Sequence, residues 1–144
     1  MNNLKDNGIA GFVWYSGTVA HGLQNGRTFG YPTANLTDVT PPSELSPGVY
    51  AAKVRFNGSE YGAMLYVGTR PTLGLTESTL EIHLFDFDGD LYGTSLAFAL
   101  LGKIREERNF STVAALVAQI RRDEAGIREM LATAKSTVIP DQRK

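Results

Sequence analysis

The chain has 144 residues, 42% apolar and 20% charged, with a formal net charge of −1. That make-up fits one ordinary globular domain with a real core, read as 1–144 with its ordered part from about 11 to 134. It carries no electrostatic footprint for nucleic acid, and the absence of cysteine excludes disulfides and thiolate metal sites.

The first ten residues, MNNLKDNGIA, lack the apolar core of a signal peptide. No apolar run reaches membrane-spanning length, so the expectation is a cytoplasmic chain without a membrane partner. Gly11 to Val19 (GFVWYSGTV) is aromatic and β-branched and reads as a strand. A glycine-rich stretch, Gly26 to Leu36 (GRTFGYPTANL), follows and reads as a loop. Pro41, Pro42 and Pro47 then break the chain around an exposed flap.

Gly48 to Phe56 alternates Tyr50, Ala52, Val54 and Phe56 with Lys53 and Arg55, the period of a half-buried strand. Asn57-Gly58 is the strongest short hairpin signal available, with a return strand from Tyr61 to Val67. Leu80 to Phe87 alternates again. Leu80, Ile82 and Leu84 share one face; Glu81, His83 and Phe85 share the other. Asp88-Gly89 reads as a turn, and the nearly continuous apolar run Ser95 to Ile104 as a strand covered on both faces.

A helix begins near Ser111, an N-cap candidate. Val113, Leu116, Val117, Ile120, Ile127 and Leu131 make its apolar stripe, and Pro140 to Lys144 read as a frayed end. Short strands with tight turns, followed by one helix, predict a mainly β domain: an antiparallel barrel or sandwich with the helix packed against it.

The stretch from Gly26 to Leu36 combines glycine flexibility, the cation Arg27, the rigid Pro32 and the neutral oxygen ligands Thr33 and Asn35. That inventory suits a polyphosphate with a hard metal ion, although Gly, Pro, Thr and Asn also build ordinary turns. Neither GxxxxGK(S/T) nor GxGxxG occurs, so the common nucleotide loops are absent. Thr33 and Asn35 stand two apart, so on an extended segment both side chains face one way.

A second loaded segment is Glu81 to Gly93 (EIHLFDFDGDLYG). Together with GRTFGYPTANL it resembles the riboflavin kinase family. Further matching pieces follow in order: His21-Gly22, Gly48-Val-Tyr50, Gly68-Thr-Arg-Pro-Thr72, Lys103-Ile-Arg-Glu106, Phe110 and Leu116-x-x-Gln119-Ile120-x-x-Asp123. Each piece is weak alone; in this order and spacing they are specific.

The resemblance implies a six-stranded antiparallel Greek-key barrel with a C-terminal helix. It also implies transfer of the γ-phosphate of ATP to the ribityl 5′-hydroxyl of riboflavin, giving FMN and ADP. The implied metal is Mg²⁺ on Thr33 and Asn35, with Zn²⁺ or Mn²⁺ as alternatives. Glu81 is the implied general base. Gly22 and Arg27 are implied at the phosphates, and Leu84, Asp86 and Tyr92 on the adenine side. Arg105, Glu106, Arg108 and Phe110 are implied at the flavin. Relatives often carry Lys where Arg108 stands, which puts contacts to the ring edge in doubt. A monomer is expected, with FAD synthetase either separate or fused. The rival reading is a barrel of the same fold that binds flavin or nucleotide without turnover.

Overall fold

The computed structural model describes residues 13–20, 30–40, 45–72 and 75–142, the side chains of 70–78 and 134–142 excepted. Six strands run β1 (Trp14–Ala20), β2 (Ala34–Thr40), β3 (Gly48–Phe56), β4 (Ser59–Thr72), β5 (Leu75–Leu84) and β6 (Ser95–Arg105). One helix, α1 (Val113–Gln142), follows. The strands close into a barrel in the order β1-β2-β5-β4-β3-β6, and every pair is antiparallel. β3, β4 and β5 form a meander, and β6 returns to lie beside β3; this is the Greek-key arrangement.

Local chemistry explains most boundaries. Asn57 and Gly58 have φ of 56° and 82°, the left-handed pair of a type I′ turn, and Phe56 faces Ser59 across it. β4 runs well beyond the predicted Val67 because β5 starts at Leu75 and pairs with it to the end. β5 stops at Leu84 rather than Phe87: Asp86 turns left-handed, with φ 61°, and ends the ladder. The loop expected over Gly26 to Leu36 gives way to β2 from Ala34. Its run ANLTDVT carries few apolar residues, and it becomes a strand because β1 and β5 flank it.

The interior is filled by alternate residues from all six strands, including Val19, Leu36, Ala52, Val54, Leu65, Ile82, Leu84, Leu96 and Phe98. A second apolar layer lies outside the barrel. Val49, Ala51, Met64 and Phe85 point outward there, and α1 covers them with Ile120, Ile127, Met130 and Leu131. β6 is thus partly covered on both faces, by the interior at Leu96 and Phe98 and by α1 at Leu101 and Ile104.

The helix is capped by Thr112, not Ser111: Thr112 Oγ1 accepts the Ala115 amide at 3.0 Å. The apolar stripe is real from Leu116 onward, whereas Val113 is 54% exposed. α1 continues past Pro140 to Gln142 instead of ending there. Among the described residues no helix is long and apolar enough to cross a membrane.

Candidate active site

Register brings distant residues together on the outer face of the barrel. Asn35 on β2 faces Glu81 on β5, Glu81 faces Tyr66 on β4, Tyr66 faces Val49 on β3, and Val49 faces Arg105 on β6. One row therefore crosses five neighbouring strands in four steps of about 4.8 Å each. Directly paired residues present their side chains to one face. Thr33, two before Asn35, joins that face, and its Oγ1 donates a 3.0 Å hydrogen bond to Glu81 Oε1. The Thr/Asn pair and the glutamate thus share one locus.

Two cavities meet at this locus. One, of about 200 Å³, is lined by Val19, Ala20, Pro32, Thr33, Ala34, Leu84 and the segment Phe87 to Tyr92. The other, of about 240 Å³, lies between the barrel and α1 and is lined by Tyr31, Thr33, Val49, Met64, Tyr66, Glu81, Arg105, Leu116 and Ile120. Thr33 and His83 line both. His83 is held in place: Nδ1 is 2.7 Å from the Pro32 carbonyl oxygen, and its ring meets Tyr31 and Phe85 edge-on.

Arg105 is held from behind. Its Nε reaches both carboxylate oxygens of Asp123 at 3.0 and 2.9 Å, and Nη2 lies 2.9 Å from Oδ2. Asp123 is buried at 4% exposure and is also bonded by Gln119 Nε2 at 2.9 Å. A fork on a buried carboxylate fixes the guanidinium plane. Arg105 Nη1 donates to the Glu106 carbonyl oxygen.

Tyr66 lies between Glu81 and Val49 in the row. Burial raises its phenol above the usual 10.0; Arg105 opposes the shift, and the Glu107 and Glu81 carboxylates add to it. Tyr31 is likewise raised, by burial and by its 3.1 Å hydrogen bond to Glu124.

The remaining predicted residues divide. Leu84 and Tyr92 line the smaller cavity, Leu84 buried and Tyr92 at its open rim. Asp86 does not. It turns away into a separate surface groove, where Arg128 grips both its oxygens at 3.1 Å. Its left-handed backbone turns it off the strand, whereas its expected place beside Leu84 is what the family resemblance implies.

Glu106, Arg108 and Phe110 do not line the larger cavity. Glu106 is exposed and paired with Lys103 at 2.8 Å. Phe110 sits under the guanidinium groups of Arg105 and Arg108, whose carbons lie 5.7 and 4.9 Å from the ring centre. Gly22 and Arg27 lie outside the described residues. Sequence reasoning missed Tyr31, Met64 and Tyr66 as lining residues. It also took Leu116 and Ile120 for plain helix core. The strand alternation at Tyr66 was a signal, but its partner Glu81 is known only once β4 and β5 are in register.

The donor set can be tested for a hard cation. Thr33 commits its single proton to Glu81, which leaves the hydroxyl lone pairs to face a metal. Asn35 adds a neutral oxygen on the same face, and a carboxylate stands alongside. Oxygen donors of this kind suit Mg²⁺ completed by phosphates and water, and not a softer ion. Among the described residues no group of three or more His, Asp or Glu side chains could hold a metal by itself.

A closed Greek-key barrel with two cavities meeting at an oxygen-rich locus, one of them under the helix, presents a candidate small-molecule site. The model of the flavokinase family, riboflavin kinase, matches residues 12–131, and the chain belongs to that family. It is 42% identical over 123 residues to the bifunctional riboflavin kinase/FMN adenylyltransferase of Escherichia coli K12, covering 83% of this chain and 38% of that protein. It is 41% identical over 109 residues to the RNA-binding riboflavin kinase of Bacillus subtilis, covering 75% and 46%. The chain therefore spans less than half the length of these curated relatives.

Among solved structures, riboflavin kinase from Trypanosoma brucei superposes with a TM-score of 0.58 at 27% identity, covering 83% of this chain and 79% of that one. A protein described as a macrolide-efflux protein from Streptococcus pneumoniae gives 0.77 at 36% identity, covering 88% and 42%.

Proposed function

We propose that the chain is an ATP-dependent riboflavin kinase, making FMN and ADP. The observation that carries the reading is the Thr33–Glu81 contact at the junction of two cavities. Two substrates approaching from opposite sides would meet there, which phosphoryl transfer requires. ATP occupies the side walled by Leu84 and Tyr92, with its phosphates directed at Thr33 and Asn35. Riboflavin occupies the side between β4, β6 and α1, its ring among Met64, Tyr66, Leu116 and Ile120 and its polar edge toward Arg105. Arg108 and Phe110 support that end by stacking.

Glu81 accepts the proton of the ribityl 5′-hydroxyl through Oε2, while Thr33 holds Oε1. The hydroxyl oxygen bonds to the γ-phosphorus as the bond to the β–γ bridging oxygen breaks, and ADP leaves. Because the transition state is loose, orienting the hydroxyl contributes as much as removing its proton. Thr33 and Asn35 would hold Mg²⁺ there, and the ion would neutralise charge on the phosphates.

Such a kinase works in the cytoplasm, where ATP is available. The adenylyltransferase named in the bifunctional relatives, fused or separate, would consume its product. Incubation with riboflavin, ATP and Mg²⁺ followed by chromatography tests the reading. FMN is the expected product; none from folded protein overturns it.

A further inference from the structure

Five side chains close a ring behind the two cavities. Tyr31 Oη donates to Glu124 Oε1 at 3.1 Å, and Arg128 Nε donates to Glu124 Oε2 at 2.8 Å. The Arg128 guanidinium lies 4.6 Å over the Phe85 ring, Phe85 meets His83 at 5.7 Å, and His83 meets Tyr31 at 5.3 Å. The ring joins the segment before β2, the end of β5 and α1. From it Arg128 reaches outward with its two remaining nitrogens and forks Asp86: Nη1 to Oδ2 and Nη2 to Oδ1, both at 3.1 Å.

Asp86 heads the segment whose Phe87, Leu91 and Tyr92 wall the smaller cavity. The far end of that segment is stitched to β1: Gly93 N donates to the Val19 oxygen and Val19 N to the Thr94 oxygen, each at 2.9 Å. The near end is a left-handed non-glycine residue, a conformation that its surroundings must hold. Arg128 is the side chain that grips it. The Asp86 carboxyl accordingly sits below its usual value of 3.8, through the Arg128 hydrogen bonds.

Side-chain exposures of 43% for Arg128 and 74% for Asp86 mean the pair adds little to global stability. A planar fork nevertheless fixes direction, and Arg128 is already oriented by Glu124 and Phe85. Neither residue lines either cavity that meets at Thr33.

We propose that Arg128 is a positioning residue: its fork on Asp86 sets the path of residues 86–94, and so the shape of the nucleotide-side cavity. The functional half of this inference rests on the kinase reading above. The structural half does not.

The test uses Arg128→Met, which keeps the stem over Phe85, together with Asp86→Asn and the double variant. In unliganded protein, amides of 87–92 should exchange about tenfold faster in Arg128→Met than in wild type. In turnover, the KM for ATP should rise about tenfold, with kcat and the KM for riboflavin within about twofold. Asp86→Asn should reproduce the effect, and the double variant should be no worse than either single. Unchanged exchange and unchanged ATP KM overturn the proposal. So does a loss spread over kcat and both KM values, or additive single effects. If wild type makes no FMN, the kinase reading falls, and the ligand-free exchange comparison still decides whether Arg128 holds the segment.

Discussion

Thr33 Oγ1 donates a 3.0 Å hydrogen bond to Glu81 Oε1 across 48 positions of sequence. The contact exists because Asn35 and Glu81 are directly paired on β2 and β5, so the side chains of all three residues emerge on one outer face. Among the described residues it leaves Glu81 with one oxygen committed and one available, and Thr33 with its lone pairs turned from the carboxylate.

Glu81→Gln keeps the shape and removes the proposed proton acceptor. Turnover should fall about a hundredfold or more, with riboflavin affinity near normal. Steady-state kinetics with a parallel flavin-binding titration reads both; near-normal turnover would take Glu81 out of the reaction.

Asn35→Ala removes one neutral oxygen from the proposed cation site. Apparent Mg²⁺ affinity in the presence of ADP should drop about tenfold or more. Calorimetry at limiting Mg²⁺ measures this, and unchanged binding would exclude Asn35 from the metal shell.

Asp123→Ala strips Arg105 of its buried partner. With side-chain exposures of 12% for Arg105 and 3% for Asp123, the orphaned charge should cost about 3–5 kcal/mol in denaturant unfolding. The surface pair Arg55–Glu60 offers the control, where Glu60→Ala should change stability by less than about 1 kcal/mol.

Tyr66→Phe removes a cavity hydroxyl that makes no hydrogen bond among the described residues. Stability at neutral pH should stay within about 0.5 kcal/mol of wild type, and the KM for riboflavin should rise several-fold. The phenol's native pKa lies above its unfolded value, so folding favours the protonated form. Its contribution is complete below pH 10 and is lost as pH climbs through the native pKa. Alkaline unfolding curves should therefore fall less steeply for Tyr66→Phe; identical curves would mean that the ring is not held as described.

Gly48→Ala tests a close approach. A Cβ there would stand 2.5 Å from the Arg105 carbonyl oxygen, at a φ of 151°. Since backbone cannot yield as a side chain can, a loss of about 1–3 kcal/mol is expected, with weaker flavin binding as Arg105 shifts. Thermal unfolding and a flavin titration together check it.

Local chemistry was legible in the sequence wherever a residue's behaviour depends on its immediate neighbours. Asn57-Gly58 dictates its turn, the alternation from Gly48 to Phe56 dictates a strand, although α1 also buries its outer face at Val49 and Ala51, and helical spacing from Leu116 to Leu131 dictates the covering helix. The ordered motifs pointed to the family.

Non-local placement had to await the tertiary structure. β2 is a strand only because β1 and β5 supply hydrogen-bond partners. Tyr66 belongs beside Glu81 only because the β4–β5 register puts it there, and Asp86 leaves the cavity because a single left-handed residue undoes the alternation. Period and propensity are properties of a segment, whereas register and closure are set by which segments pair. The row from Asn35 to Arg105 is therefore a product of the closed barrel.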